Sequence, residues 1–166
     1  MIIAAGGLVT PDDQTVPMVV FRFEALAFAL EANFVQRVMP ACEVRPLAVS
    51  ARAFRGLVLF EAQLVPVLDP AAMFSKSPLP PLGLHSRFLL VKPQDRLLLL
   101  HTDAVDGVRH VPKASIRRPD WPADGMIRLH GIGHDDSDLI YIFDPARMLL
   151  PDEERTVDAA IREAAH

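Results

Sequence analysis

Short apolar runs separated by polar or proline-marked breaks set the pattern of this chain. Met18-Val19-Val20-Phe21-Arg22-Phe23 and Leu26-Ala27-Phe28-Ala29-Leu30 flank Glu24-Ala25. Phe21 and Phe23 share one face at a period of two, with Arg22 on the other, so the stretch predicts a hairpin and not the helix that its Ala and Leu content also allows. A third strand is expected from Phe34 to Met39, stopped by Pro40, and residues 40–54 read as irregular. A second hairpin follows, Gly56 to Phe60 and Gln63 to Leu68 around Glu61-Ala62. Pro66 cannot donate a ladder hydrogen bond, which predicts an edge strand or a bulge there.

The segment Ser75 to Gly83 carries three prolines in a Pro-x-x-Pro setting and reads as a stiff linker, not as a peptide ligand. Beyond it the order repeats. Strands are expected at Arg87 to Lys92, Arg96 to Thr102 and Val105 to Val111, the last stopped by Pro112. After an irregular stretch (112–125) come Met126 to Gly133 and Leu139 to Phe143, around a turn at His134 to Asp138. The segments Leu64 to Phe74 and Leu139 to Leu149 superpose residue for residue, 75 positions apart, each an apolar strand, an Asp-Pro and a short helix start. Such self-similarity predicts a duplicated all-β body: two tandem five-stranded barrels, one at about 17–74 and one at about 87–150, joined by a linker at 75–86. A flexible tail (1–16) precedes them. A helix (151–166) follows, with acidic residues in its first turn and Val157, Ala160, Ile161 and Ala164 on one face.

Composition narrows the function classes. The 166 residues are 51% hydrophobic, enough for a core despite 15 prolines. A formal net charge of −4 supplies no basic field for nucleic acid. A single cysteine, Cys42, forms no internal disulfide and fits a reducing compartment. No signal-peptide pattern or membrane-length apolar run is found, so a soluble cytoplasmic protein is expected.

Candidate chemistry is sparse. His130 and His134, with Asp135 and Asp136, form the best metal candidate. On an extended strand, however, the two histidines stand about 13 Å apart by the ~3.3 Å rise, too far to share an ion, so no metal is expected. No phosphate loop, catalytic-triad signature or activated thiol is present. Lys113, Arg117 and Arg118 near Trp121 form the one basic cluster and read as a solvated loop. The expectation is a protein that binds other proteins, with no catalytic residues and no cofactor. The alternative is a small-ligand or metal-binding sensor built on the same barrels with His130, His134 and Asp135.

Several segments taken together resemble the CheW-type coupling domain of bacterial chemosensory systems. Phe21 to Leu30 with Phe34-Val35-Gln36-Arg37-Val38 is similar to the opening hairpin and third strand of that family. Phe54 to Asp69, Leu97 to Val111 and Leu139 to Leu149 resemble its later strands. The similarity spans residues 18–150. It implies two SH3-like barrels and a non-catalytic adaptor. The partners it implies are the cytoplasmic tip of a chemoreceptor and the regulatory domain of a CheA-type histidine kinase. On that resemblance the partner-contacting residues are expected to be Val35, Arg37, Phe60, Glu61, Arg87, Val105 and Val108. Two departures stand out. Arg37 replaces the usual acidic residue of the third strand, and Glu61 replaces the usual arginine of the second hairpin turn. The exchange predicts an Arg37–Glu61 salt bridge with reversed polarity beside a partner surface.

Overall fold

The structure is a computed structural model that describes residues 14–46, 53–73, 81–118, 128–135 and 138–165. The expected tail through Asp13, most of the proline-rich linker, Trp121 with its loop and Asp136 lie outside the described residues. The strands are β1 (Thr15–Phe23), β2 (Leu26–Glu31), β3 (Val35–Pro40), β4 (Phe54–Phe60) and β5 (Gln63–Leu68). They are followed by β6 (Arg87–Val91), β7 (Leu98–Thr102), β8 (Ala104–Pro112), β9 (Leu129–Asp135) and β10 (Asp138–Phe143). Helix α1 (Pro151–Ala164) closes the chain. Glu24, Glu61 and Ala62 take positive φ, as tight hairpin turns require.

Two five-stranded sheets form, ordered β8-β1-β2-β10-β9 and β3-β6-β7-β5-β4. They are called here the β1 barrel and the β6 barrel. The tandem division at 17–74 and 87–150 therefore fails. Each barrel takes a hairpin from one half of the chain and three strands from the other. The duplication itself is visible in the pairing. β7 meets β5 in parallel, as β2 meets β10. β3 slips register against β6 between Val35 and Arg37, as β8 does against β1 near Val105. Strands exchanged between two copies of one unit satisfy all these pairings, whereas a tandem arrangement satisfies none of the crossings between halves.

The same correspondence fixes the bulges. β4 shifts register at Arg55 and β9 at His130, each followed by a glycine. A Cβ on Gly56, whose φ is +152°, would lie 2.3 Å from Arg45 O; one on Gly131 would lie 2.9 Å from Arg117 O. Both glycines admit a bridging segment, Arg45 to Leu57 in one barrel and Arg117 to Ile132 in the other. The expectation for Pro66 is corrected here. β5 lies inside its sheet and the bulge is at Arg55. Pro66 is accommodated because β7 pairs with β5 only at Val67 and Leu68.

Three apolar clusters hold the fold. Phe21, Phe28, Leu57, Leu89, Leu100 and Phe143 belong to the layer shared by the two barrels, with the Phe28 and Phe143 rings stacked at 5.5 Å. The β1 barrel is filled by Met18, Val20, Ala27, Ala29, Val111, Ile140 and Ile142. The β6 barrel is filled by Val58, Val65, Val67, Phe88, Leu90 and Leu99. Strands with a core on both faces read as continuous apolar runs, which is why alternation is weak in β1 and β7. Helix α1 docks on the shared layer through buried Val157 and Ala160 and half-buried Ile161, while Ala164 is exposed.

Candidate partner-binding surface

Of the residues nominated from sequence, Val35, Arg37, Phe60 and Glu61 come together at one end of the β6 barrel. Val35 opens β3, half-buried against the shared layer. The Arg37 guanidinium lies 5.5 Å from the Phe60 ring centroid, a cation–π contact that joins the strands at the two ends of the sheet order. Val38 and Leu59 add exposed apolar surface, at 45% and 60%. The expected Arg37–Glu61 salt bridge is not formed; among the described residues Arg37 is spent on Phe60. Glu61 is held on the turn by its positive φ and points to solvent, where an ion pair gains little.

The other nominated residues lie elsewhere. Arg87 pairs with Pro40 at the far end of β3, where its guanidinium donates to Ser86 O at 3.1 Å. Val105 and Val108 sit on β8, the strand that corresponds to β3. Val105 pairs with Phe21 as Val35 pairs with Val91, and Val108, 59% exposed, corresponds to Val38. The two edge strands thus present the same valine spacing.

Their surroundings differ. At the β1 barrel end, Arg22 meets Asp106 and Asp138 at 2.7 Å each, and Arg109 joins the same carboxylates at 3.1 and 3.4 Å. Hydrogen bonds from Arg22 and Arg109, with their charges, hold the Asp138 carboxyl below its ordinary range. In the β6 barrel the register places Lys92, Gln36, Gln63 and Met39 at these positions, and no such ring is possible. One barrel end satisfies its own charges and the other leaves an apolar, arginine-topped patch.

A buried polar chain escaped sequence reading. Arg55 contacts the Asp69 carboxylate at 2.9 Å; His101 Nδ1 reaches the same oxygen at 3.0 Å, and His101 Nε2 meets Ser86 Oγ at 3.1 Å. The residue types match a hydrolytic triad. Yet Ser86, His101 and Asp69 are buried, and Ser86 Oγ also accepts the Gly83 N–H, so the chain acts as a lock between β4, β5, β7 and the entry to β6. No local motif could have revealed it, because its members come from four segments. Helix α1 is latched by Arg128, which donates to both oxygens of Glu153 at 2.7 and 2.6 Å. Burial alone would raise the Glu153 carboxyl. The Arg128 hydrogen bonds, the Leu150 N–H and the Arg128 charge outweigh burial and hold it below its usual value.

The remaining candidates carry little chemistry. Cys42 is exposed, and partial desolvation pushes its thiol up, away from nucleophilic activation. His130 and His134 are exposed on β9. Among the described residues no group of three His, Cys, Asp or Glu side chains could hold a metal ion, and no helix is long and apolar enough to cross a membrane.

Two interleaved SH3-like barrels carry an exposed apolar edge at β3 and β4 and no metal cluster among the described residues. The CheW-like domain family model matches residues 17–152, and the chain belongs to that family of chemotaxis scaffolds and adaptors. Among solved structures, the crystal structure of scaffolding protein TtCheW from Thermoanaerobacter tengcongensis is similar in fold, with a TM-score of 0.69 and 21% identity. The match covers 78% of this chain and 88% of that one. Comparison with curated proteins finds no match.

Proposed function

We propose that this chain is a cytoplasmic, non-catalytic adaptor that couples the cytoplasmic tip of a chemoreceptor to the regulatory domain of a CheA-type histidine kinase. The observation that carries this reading is the contrast between corresponding barrel ends: β3 with Phe60 offers an apolar patch, whereas the β1 barrel end pairs its own charges in an ion ring beside Val105 and Val108. A receptor helix needs apolar anchors in a groove. Val35, Val38, Leu59 and Phe60 supply them, Arg37 above Phe60 favours an acidic helix face, and Glu61 restricts which basic partner is accepted. Val105 and Val108 on β8 are assigned to the second partner, the kinase domain, and Arg87 to the margin of the first surface.

The test is co-purification with the kinase and receptor encoded in the same genome, followed by titration of purified components. Phe60→Asp is expected to weaken receptor binding by about 2 kcal/mol or more, as loss of a central anchor does, and to leave kinase binding unchanged in a protein that still folds. A folded protein that binds neither partner would overturn the reading.

A further inference from the structure

A cavity of about 250 Å³ opens into the β1 barrel. Its lining includes Met18, Ile116, Ile142 and Phe143. The registers set each barrel-filling residue against its counterpart. Phe88, Leu97, Leu99 and Val58 fill the β6 barrel where the β1 barrel has Met18, Ala27, Ala29 and Gly133. Ile140 and Ile142 in place of Val65 and Val67 return only one methylene each. Of Met18, Ala27, Ala29 and Gly133 only Met18 lines the cavity, so Met18 in place of Phe88 is the exchange that opens space at its wall.

The polar groups differ in the same place. In the β6 barrel the Arg55 guanidinium sits on Asp69, beside His101. The corresponding positions in the β1 barrel are His130 for Arg55 and Glu31 for His101. His130 and Glu31 both line the cavity mouth. Asp144, the counterpart of Asp69, is turned to cap Ala146 N at 2.9 Å. Glu31 makes no hydrogen bond or ion pair among the described residues. One barrel therefore carries its cation internally, and the other offers a carboxylate over an apolar floor with no cation of its own.

We infer that this cavity binds a small organic cation, a guanidinium or primary ammonium on a short aliphatic chain. The head would pair with Glu31, where a charge-assisted hydrogen bond is strongest. The aliphatic part would lie against Met18 and Ile142, in the arrangement of an apolar pocket with few polar groups at its rim. The inference does not rest on the adaptor reading, since it concerns the opposite barrel and needs neither receptor nor kinase.

The probes are butylguanidinium and its neutral isostere butylurea, titrated into the full chain while the methyl resonances of Met18 and Ile142 are followed. Saturable shifts with butylguanidinium are expected, with butylurea at least about tenfold weaker. Glu31→Gln should lose about tenfold in affinity for butylguanidinium, the scale of one charge-assisted hydrogen bond, with an unchanged thermal midpoint because Glu31 is exposed. Met18→Phe, which places the β6 barrel's residue against the cavity, should abolish binding by filling it, read from the Ile142 methyl. Absence of saturable shifts, equal binding of butylurea, or undiminished binding by Glu31→Gln would each overturn the assignment.

Discussion

The two barrels share a backbone plan down to the position of their bulges, and they differ in what their side chains do at matching places. The β6 barrel is filled by Phe88, Leu97 and Leu99 and is locked from within by Arg55, Asp69 and His101. The β1 barrel has Met18, Ala27 and Ala29, an open mouth at Glu31 and His130, and an ion ring on its outer end. Repetition preserved the glycines and strand order, which closure of the sheets demands. The polar residues, which closure does not constrain, diverged. The difference teaches that the β6 barrel keeps its polar chemistry inside, while the β1 barrel carries it at its ends.

The sharpest way to break that comparison is to remove one Asp from each barrel. Asp69 is fully buried between a guanidinium and an imidazole, so Asp69→Ala removes the carboxylate that Arg55 and His101 share. A loss of about 3–5 kcal/mol is expected. Asp144→Ala removes a partly exposed cap on a short 3-10 turn, expected to cost about 1 kcal/mol. Urea unfolding of both variants checks this, and equal losses would mean that the lock does not distinguish the barrels.

A second, smaller contrast concerns the latch. Arg128 occupies the position that Ala53 holds in the other barrel: Asp144 N donates to Arg128 O as Asp69 N donates to Ala53 O. The β1 barrel grips α1 through Arg128, and Arg96, just before β7 of the other barrel, adds a hydrogen bond to Asp158 of the helix. Arg128→Ala is expected to cost about 1.5–3 kcal/mol, the range for hydrogen bonds to charged groups. The effect should be confined to residues 151–164 in hydrogen exchange. Because the folded carboxyl of Glu153 titrates below its unfolded value of about 4.3, the latch contributes fully above that value. It is lost as pH falls from there through the lowered folded value. Protection of α1 should therefore fall in acid before that of β1 and β2, and Arg128→Ala should abolish the difference.

Ten strands, the Asp-Pro turns and the duplication were legible because each is written locally, in alternation, proline stops and the match of Leu64 to Phe74 with Leu139 to Leu149. Strand exchange was not legible. A local pattern says that β1 and β2 pair, but not that β8 and β10 of the other half flank them. The patch was half legible. Family resemblance pointed to Val35, Arg37 and Phe60, but charge complementarity alone paired Arg37 with Glu61, and Arg37 lies over the Phe60 ring instead. The Ser86–His101–Asp69 chain and the cavity had no signal at all, since both depend on residues brought together from distant segments.

The smallest expected effect tests the other half of the contrast, that the β1 barrel end satisfies its own charges. Asp138 lies at the surface, so its pairs with Arg22 and Arg109 add little to stability, yet they are enough to displace its titration. Followed by the carboxyl carbon resonance in low salt, Asp138 should titrate below the ordinary ~3.9 of an aspartate. The midpoint should rise toward that value in 1 M salt, where screening acts over ~3 Å, and in Arg22→Gln. Arg109→Gln should move it less, because its contact is longer and ranks behind that of Arg22. An Asp138 that titrates at the ordinary value in low salt would mean that the ring does not hold in solution. The two barrel ends would then be equally open to partners, and the assignment of β3 as the receptor edge would lose its main support.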